Sequence, residues 1–363
     1  MGKQCVYNVT MVDSTVFTYT NKDFINDVCS GQQTRSRFDI ALRSRWTEKR
    51  NAGLFRYHLD DLETRILPGP CSYIAQLNIM RGIERRKPQE ILSVRQNFDP
   101  KQFNFNKINP KELLFELLKE SESSCEARCH RNGSKRKCKV IINVSPLEFG
   151  HCLLVPEPDR CHPQILTPLA VQTGIETVLL SADSGFRVGF NSLGGFASVN
   201  HLHLHGYYLN HQLRIETSPA EPILPKKNLY RLLDFPVGFL FYTQGSNLDL
   251  TVSAVCSLTD TMVDRNIAHN IFITRGCPPQ RERDPSSSRN GVRVIVWPRL
   301  SCFGAKEESA FDVALCELAG HLPFKNREDY ETVTEDRVQD IIRKYLLPQE
   351  EFSGLQKHVM KCL

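Results

Sequence analysis

The most regular hydrophobic–polar alternation in the chain lies at residues 198–209, where leucines separate three histidines. The stretch reads Ser-Val-Asn-His-Leu-His-Leu-His-Gly-Tyr-Tyr-Leu. Successive side chains of a strand point to opposite faces. The spacing therefore predicts a strand with His201, His203 and His205 on one face and the leucines on the other, against the core.

Similar patterns predict the other elements. Apolar runs at 140–144 and 151–156, separated by a turn, are typical of a β-hairpin. Further strands are expected at 103–108, 186–191, 270–275 and 292–299, and helices at 39–50, 111–119, 167–181, 310–319 and 334–347. Together these elements predict an α+β fold, an antiparallel sheet with helices packed on it.

The second half of the chain repeats the order of the first. A strand, a polar loop at 278–290, a strand stopped by Pro298 and a helical region follow one another, as they do around the hairpin. This repetition indicates a diverged internal duplication. Since the triple histidine does not recur, the second copy is predicted to be degenerate. The expected organisation is an N-terminal region (1–60), a catalytic half (61–215) and a degenerate half (216–363), packed as one unit.

Composition narrows the classes of protein and partner. A formal net charge of +5 over 363 residues suits a small polyanionic ligand rather than nucleic acid. No stretch reaches the length of a membrane helix, and the N-terminus lacks an apolar signal core, so no membrane partner is expected. Thirteen scattered cysteines favour a reducing, cytoplasmic location. The oligomeric state stays open, a homo-oligomer included.

One group of cysteines has spacing close to that of structural zinc. Cys125, Cys129, His130 and Cys138 lie in a polar segment but lack a paired Cys-x-x-Cys. The pattern is more typical of a polar insertion with incidental thiols. We therefore predict no metal and no cofactor.

Three chemistries are open to the histidine row. It could bind a metal with help from a distant carboxylate, its members could be ordinary strand residues, or its central imidazole could attack a nucleotide phosphate. A neutral imidazole is a good nucleophile at pH 7 because its ordinary pKa is about 6.5. Perfect alternation after a Gly-containing loop favours the nucleophile.

At these residues the chain resembles the histidine-triad superfamily. Three segments agree in order: the hairpin at 141–156, the loop with Asn191, Gly194 and Gly195, and the strand at 198–205. Over most of the chain the resemblance is closer to the GDP-sugar phosphorylase branch, at 103–107, 186–209 and 314–321. At the third position of the triad the chain has a histidine, as do the animal members of that branch. This resemblance implies GDP-glucose and inorganic phosphate as substrates.

The resemblance also implies a role for each site residue. His203 would attack the α-phosphorus, release glucose 1-phosphate and pass the guanylyl group to phosphate. The supporting residues would be His201 and His205 on the ring and phosphate oxygens, Ser198 on the phosphate or leaving group, Asn143 on the ribose, Asn191, Gly194 and Gly195 in the phosphate loop, and Lys107 and Arg81 as cations for the terminal phosphate.

Two other functions stay open. Transferases of the superfamily tend to carry glutamine at the third triad position, and hydrolases tend to carry histidine, as at His205. A hydrolase would turn over at an equal rate without phosphate. A non-enzymatic nucleotide-binding protein would use the same pocket. In the enzyme, replacing His203 with Asn should abolish turnover yet keep nucleotide binding, and a variant with full activity would exclude the mechanism.

Overall fold

The computed structural model describes residues 15–28, 35–59, 62–85, 88–120, 137–282, 288–303 and 309–363. Its strands are β1 (Val16–Tyr19), β2 (Thr64–Ile66), β3 (Ile74–Leu77), β4 (Leu113–Lys119), β5 (Lys137–Ile142), β6 (Cys152–Pro156), β7 (Phe186–Asn191), β8 (Leu204–Tyr208), β9 (Ala220–Leu224), β10 (Leu229–Leu232), β11 (Phe239–Thr243), β12 (Ala268–Gly276), β13 (Gly291–Arg299) and β14 (His321–Phe324). Its helices are α1 (Arg37–Asn51), α2 (Ile79–Ile83), α3 (Pro168–Leu180), α4 (Leu248–Asp264), α5 (Leu315–Leu318), α6 (Arg327–Thr332), α7 (Glu335–Arg343) and α8 (Gln349–Cys362).

One large sheet organises the chain and shows the predicted duplication. Among the described residues, eleven strands follow the order β1-β4-β5-β6-β8-β7-β12-β13-β11-β10-β9. The order β4-β5-β6-β8-β7 is mirrored by β9-β10-β11-β13-β12, with a helix, α3 or α4, before the last two strands of each half. The halves meet where β7 and β12 pair antiparallel, with Asn191 opposite Asn270. Strand β13 carries no histidine, so the second copy is degenerate, as predicted.

The large sheet has a hydrophobic cluster on each face. One cluster joins it to α1, α3, α4 and α8 and includes Leu202, Leu204 and Tyr208. The other joins it to a smaller sheet, in which β3 pairs with β2 and β14, and to the short C-terminal helices; it includes Tyr207. The side chains from Leu202 to Tyr208 therefore alternate between the two faces of the sheet, as the sequence predicts. The leucines face the long helices, and the odd-numbered positions face the other way.

Several predicted elements form close to their expected bounds, because their ends carry capping residues. Ser36 accepts a hydrogen bond from Asp39 N at the start of α1, and Thr167 accepts one from Ala170 N at the start of α3. Thr334 caps α7 in the same way. The hairpin of β5 and β6 is antiparallel, with Ile142 opposite Cys152. The predicted strands 186–191, 270–275 and 292–299 are also confirmed.

Three predicted elements are wrong. Residues 111–119 form a 3-10 turn (Pro110–Glu112) and strand β4 instead of a helix, because β4 pairs with β1 on one side and β5 on the other. Residues 103–108 form a 3-10 turn (Phe105–Lys107), capped by Asn104, instead of a strand. Residues 310–319 contain only the single helical turn α5.

The strand expected at the histidines is shorter than predicted. Regular pairing begins at Leu204, so His205 lies in β8, whereas His201 and His203 precede it. Across the described residues, no helix combines the length and the apolar character needed to cross a membrane.

Candidate active site

The backbone of His203 is held by a buried side chain from a distant segment. Gln164, 1% exposed, accepts a hydrogen bond from His203 N (2.9 Å) and donates to His203 O (3.0 Å). The same amide donates to Asn191 O (3.0 Å). Gln164 therefore ties the histidine segment to the end of β7, although it was not predicted as a site residue.

The ring of His203 has one nitrogen engaged and one available. Nδ1 lies 2.7 Å from His201 O. Because a carbonyl can only accept, Nδ1 carries the proton and Nε2 keeps its lone pair. Nε2 makes no hydrogen bond to any described residue. The Phe105 ring packs at 4.9 Å between centroids and fixes the plane of the imidazole. This is the tautomer that a nucleophilic Nε2 requires.

His201 is anchored through both of its nitrogens. Nδ1 accepts from Phe105 N at 3.0 Å, and Nε2 lies 3.2 Å from Pro158 O, to which it donates. The rings of Phe98 and Phe105 pack around it at 5.2 and 5.5 Å. His201 therefore holds the carbonyl that is hydrogen-bonded to His203, and both of its own ring nitrogens are committed to the backbone.

Burial keeps the imidazoles neutral. The pKa of His203 is lowered to about 4, mainly because burial penalises the charged form; the hydrogen bond to His201 O offsets part of this effect, and the His201 ring adds slightly to it. The pKa of His201 is lowered to about 4 for the same main reason. At pH 7 the lone pair of His203 Nε2 is therefore fully available, with no proton to remove first.

A fourth histidine, not predicted as a site residue, joins the row from the hairpin. His151 is 1% exposed, and its Nε2 lies 3.1 Å from His205 Nδ1. It immediately precedes β6, which pairs with β8. Its place in the hairpin at 141–156, directly before an apolar strand, was the sequence signal that could have found it.

The predicted ribose residue contacts His151, and the predicted leaving-group residue lies three positions before His201 in the chain. Asn143 is half-buried; its Oδ1 accepts from Ser145 N (3.0 Å) and its Nδ2 lies 3.3 Å from His151 Nε2. Ser198 is half-buried, and its carbonyl accepts from Gln89 N (3.0 Å). The Ser198 hydroxyl makes no hydrogen bond to a described residue, so it can still meet a ligand.

The predicted phosphate loop is held by the second half of the chain. Asn191 Oδ1 accepts from Asn270 Nδ2 (2.6 Å) and from Leu315 N (3.0 Å). Asn270 Nδ2 also donates to Gly195 O at 2.7 Å. Gly194 has a φ of +70°, a conformation that favours glycine. Asn191 therefore shapes the loop between β7 and the histidines, and β12 keeps that shape.

The two predicted cations have different surroundings. Arg81 Nη1 donates to Ser145 O, which places the guanidinium against the hairpin that carries Asn143 and His151. Lys107 Nζ donates to three carbonyls of its own loop, at 2.6, 3.1 and 2.9 Å. Arg81 is therefore at the site, whereas the Lys107 ammonium is bound to the carbonyls of residues 100–102.

The described residues contain no group of three His, Cys, Asp or Glu side chains arranged to hold a metal. Cys125, Cys129 and His130 of the zinc-like group lie outside the described residues, and Cys138 is a buried free thiol in β5.

The mirrored sheet and the alternating histidines define a histidine-triad-like protein. A solved structure supports this class at the level of the fold. The yeast Ap4A phosphorylase Apa2 in complex with Ap4A superposes with a TM-score of 0.58 at 16% identity, covering 86% of this chain and 98% of that one.

Sequence comparison is more specific. The models of the GDPGP1-like N-terminal and C-terminal domains match residues 37–207 and 215–363. GDP-D-glucose phosphorylase 1 of Danio rerio is 78% identical over 97% of this chain and 100% of its own length. The Homo sapiens protein of that name is 54% identical over 89% of this chain and 83% of its own length. The chain therefore belongs to the GDPGP1-like family.

Proposed function

We propose that this protein catalyses the phosphorolysis of GDP-D-glucose to GDP and glucose 1-phosphate, as a nucleotidyltransferase. The observation that carries the proposal is the His203 ring. Its Nδ1–H is bound to His201 O at 2.7 Å, and its Nε2 lone pair is free in the described site. The two relatives are GDP-D-glucose phosphorylases, and this name supplies the substrate.

The reaction has two displacements at the same phosphorus. His203 Nε2 forms a bond to the α-phosphorus, the bond to the bridging oxygen breaks, and glucose 1-phosphate leaves with that electron pair. An oxygen of inorganic phosphate then attacks the same phosphorus and breaks the P–N bond, which yields GDP and restores neutral His203. No metal or cofactor takes part in this scheme.

The neighbouring residues have proposed roles that follow their positions. His201 orients His203, His205 donates to a phosphate oxygen, and Ser198 contacts the phosphate or the leaving group. Asn143 meets the ribose, and the loop of Asn191, Gly194 and Gly195 presents backbone groups to phosphate. Arg81 attracts the incoming phosphate.

Mass spectrometry of a trapped intermediate tests this mechanism directly. After mixing with GDP-glucose in the absence of phosphate, the peptide that contains His203 should gain one guanylyl group. Adding phosphate should discharge it as GDP. A hydrolase would instead release GMP at the same rate with and without phosphate. An unmodified peptide, with turnover intact, would refute the covalent mechanism.

We also propose that the protein acts in the cytoplasm, as three sequence regions (1–60, 61–215 and 216–363) packed in one unit. Nine described cysteines form no disulfide bond with one another, which supports a reducing compartment. The mirrored halves of the sheet support the boundary between the second and third regions. Fluorescence of the tagged protein in cells and limited proteolysis of the purified protein would test the two statements.

A further inference from the structure

The contact between His151 and His205 determines where each ring carries its proton. His151 Nδ1 lies 2.7 Å from Leu147 N, and its Nε2 lies 3.1 Å from His205 Nδ1. A backbone N–H can only donate, so Nδ1 of His151 accepts. In a neutral ring the proton is then on Nε2, which donates to His205 Nδ1. The Asn143 amide nitrogen faces the same Nε2 at the longer distance of 3.3 Å, and because both groups are then donors this contact is not a hydrogen bond. His205 must therefore carry its own proton on Nε2.

From this geometry we infer that His151 is a positioning residue that makes His205 a neutral hydrogen-bond donor, not a proton donor. Two hydrogen bonds fix the tautomer of His205, one from the Leu147 backbone N–H to His151 and one from His151 to His205; we call this pair the relay. The outer nitrogen of His205 presents an N–H beside His203, whose ring centroid is 5.1 Å away. This inference rests on the proposed function only in identifying the acceptor as an oxygen of the α-phosphate.

The surroundings of both rings oppose a positive charge. Burial lowers the pKa of His205, and so do His203, His151, Arg81 and Arg85. Burial lowers the pKa of His151, with further contributions from Arg81, Arg85 and His321. No carboxylate is among the groups that act on either ring. Neither imidazole therefore becomes a cation near pH 7, and His205 has no proton to give away.

The leaving group does not need a proton either. Glucose 1-phosphate leaves as a phosphate monoester, and such a group has a second pKa of about 6. At neutral pH it departs stably as an anion. What helps the transition state is a fixed donor to the charge that develops on the non-bridging oxygens. Glutamine offers a neutral N–H of similar reach without a titratable proton, so it should serve at position 205.

A double-mutant cycle tests the relay. His205→Ala should lower kcat by about 10²–10³-fold, the usual effect of losing one such donor, and His205→Gln should recover activity to within about 10-fold of wild type. His151→Leu should lower kcat by about 10–100-fold in the wild-type background, because His205 can then adopt either tautomer. In the His205→Gln background the same substitution should have an effect of less than about 3-fold, since an amide has no tautomer to fix. Exposed His58 supplies a control, His58→Gln, which should leave kcat unchanged.

Two outcomes of the double-mutant cycle would overturn the inference. If His205→Gln is as inactive as His205→Ala, the imidazole transfers a proton. If His151→Leu has the same effect in both backgrounds, His151 supports the fold alone. A readout without substrate separates the relay from the proposed function. ¹⁵N NMR of histidine-labelled protein should show a proton on Nε2 of both His151 and His205 at pH 7, whether or not GDP-glucose is the substrate. A proton on Nδ1 of His205 would refute the relay.

Discussion

Strands β8 and β13 hold matching places in the two halves of the sheet, yet their polar side chains differ in kind. The segment leading into β8 carries neutral imidazoles, and His203 keeps one nitrogen free. Strand β13 carries Arg293 and Arg299, each 1% exposed. Arg293 donates to the carbonyls of Cys277 (2.8 Å), Ile215 (2.9 Å) and Ser218 (2.8 Å).

Arg299 behaves like Arg293. Its Nη1 donates to Val313 O and to Asn270 Oδ1 (3.1 Å). The donors of both arginines are thus committed to partners within the chain, whereas the histidine row leaves a lone pair free. The repeated sheet therefore supplies a rigid position in each half. The residue at that position determines whether the strand can react with a ligand or only stabilises the fold.

The sharpest contrast comes from replacing one residue in each half. His203→Asn should lower kcat by about 10⁴-fold or more, because the nucleophile is lost, with little change in the midpoint of urea unfolding. Arg293→Met should remove the guanidinium donors to the carbonyls of Cys277, Ile215 and Ser218 and lower the free energy of unfolding by about 3 kcal/mol. Its kcat per folded molecule should stay near wild type. An inactive but stable Arg293→Met would show that the second half takes part in the chemistry.

The link between the halves should have an intermediate effect. Asn270→Ala removes the donor to Asn191 and Gly195 and the acceptor for Arg299. We expect kcat to fall by about 10–100-fold, because a misplaced loop weakens contacts to the phosphate. The rate of single-turnover guanylylation of His203 would measure this decrease. Asn326→Ala, at the exposed start of α6, is the control for loss of an asparagine that caps a helix. Unchanged guanylylation would mean that the loop keeps its shape without β12.

The smallest expected effect concerns a histidine that resembles His203 in its pKa but not in its setting. His269 in β12 is 1% exposed, its Nε2 has no hydrogen-bond partner among the described residues, and burial lowers its pKa to about 4. The unfolded chain, with an ordinary pKa of about 6.5, binds the proton first as pH falls. His269 therefore makes stability decline as pH falls from about 6.5 to about 4.

His269→Phe should remove this contribution and keep the stacking on Phe190. The unfolding midpoint of the variant should fall less steeply between pH 6.5 and 4 than that of wild type. Its kcat should match wild type at pH 7, which would show that a lowered pKa alone does not mark a catalytic histidine. An identical pH slope would contradict the burial of a neutral ring at this position.

The elements that the sequence predicted correctly carry their own local signals. The hairpin of β5 and β6 is two apolar runs around a turn, and helices α1 and α3 begin at capping residues. Strand β4 was predicted as a helix because leucines at 113, 114, 117 and 118 fit a helical stripe. Pairing with β1 and β5 overrides that local preference, since a strand with partners on both sides satisfies its backbone groups.

The residues of the candidate site also fall into two groups, those that the sequence pattern could reveal and those that it could not. The histidine row and its neighbours in sequence could be found from spacing alone. Gln164 and His151 could not, because a lone glutamine or histidine has no distinctive local pattern. Gln164 reaches His203 across 39 residues of sequence, and His151 reaches His205 across 54. Lys107 was expected near phosphate from its charge, which gives no information on the three carbonyls that surround it.

By itself, the sequence determined the alternation of histidine and leucine from His201 to His205, the duplication and the family. Those properties depend on period, order and residue type, which a linear chain already contains. Only the tertiary structure decided which nitrogen of each ring carries a proton and which polar side chains are already engaged. Hydrogen bonds decide both, and their donors and acceptors come from segments that meet only when the chain folds.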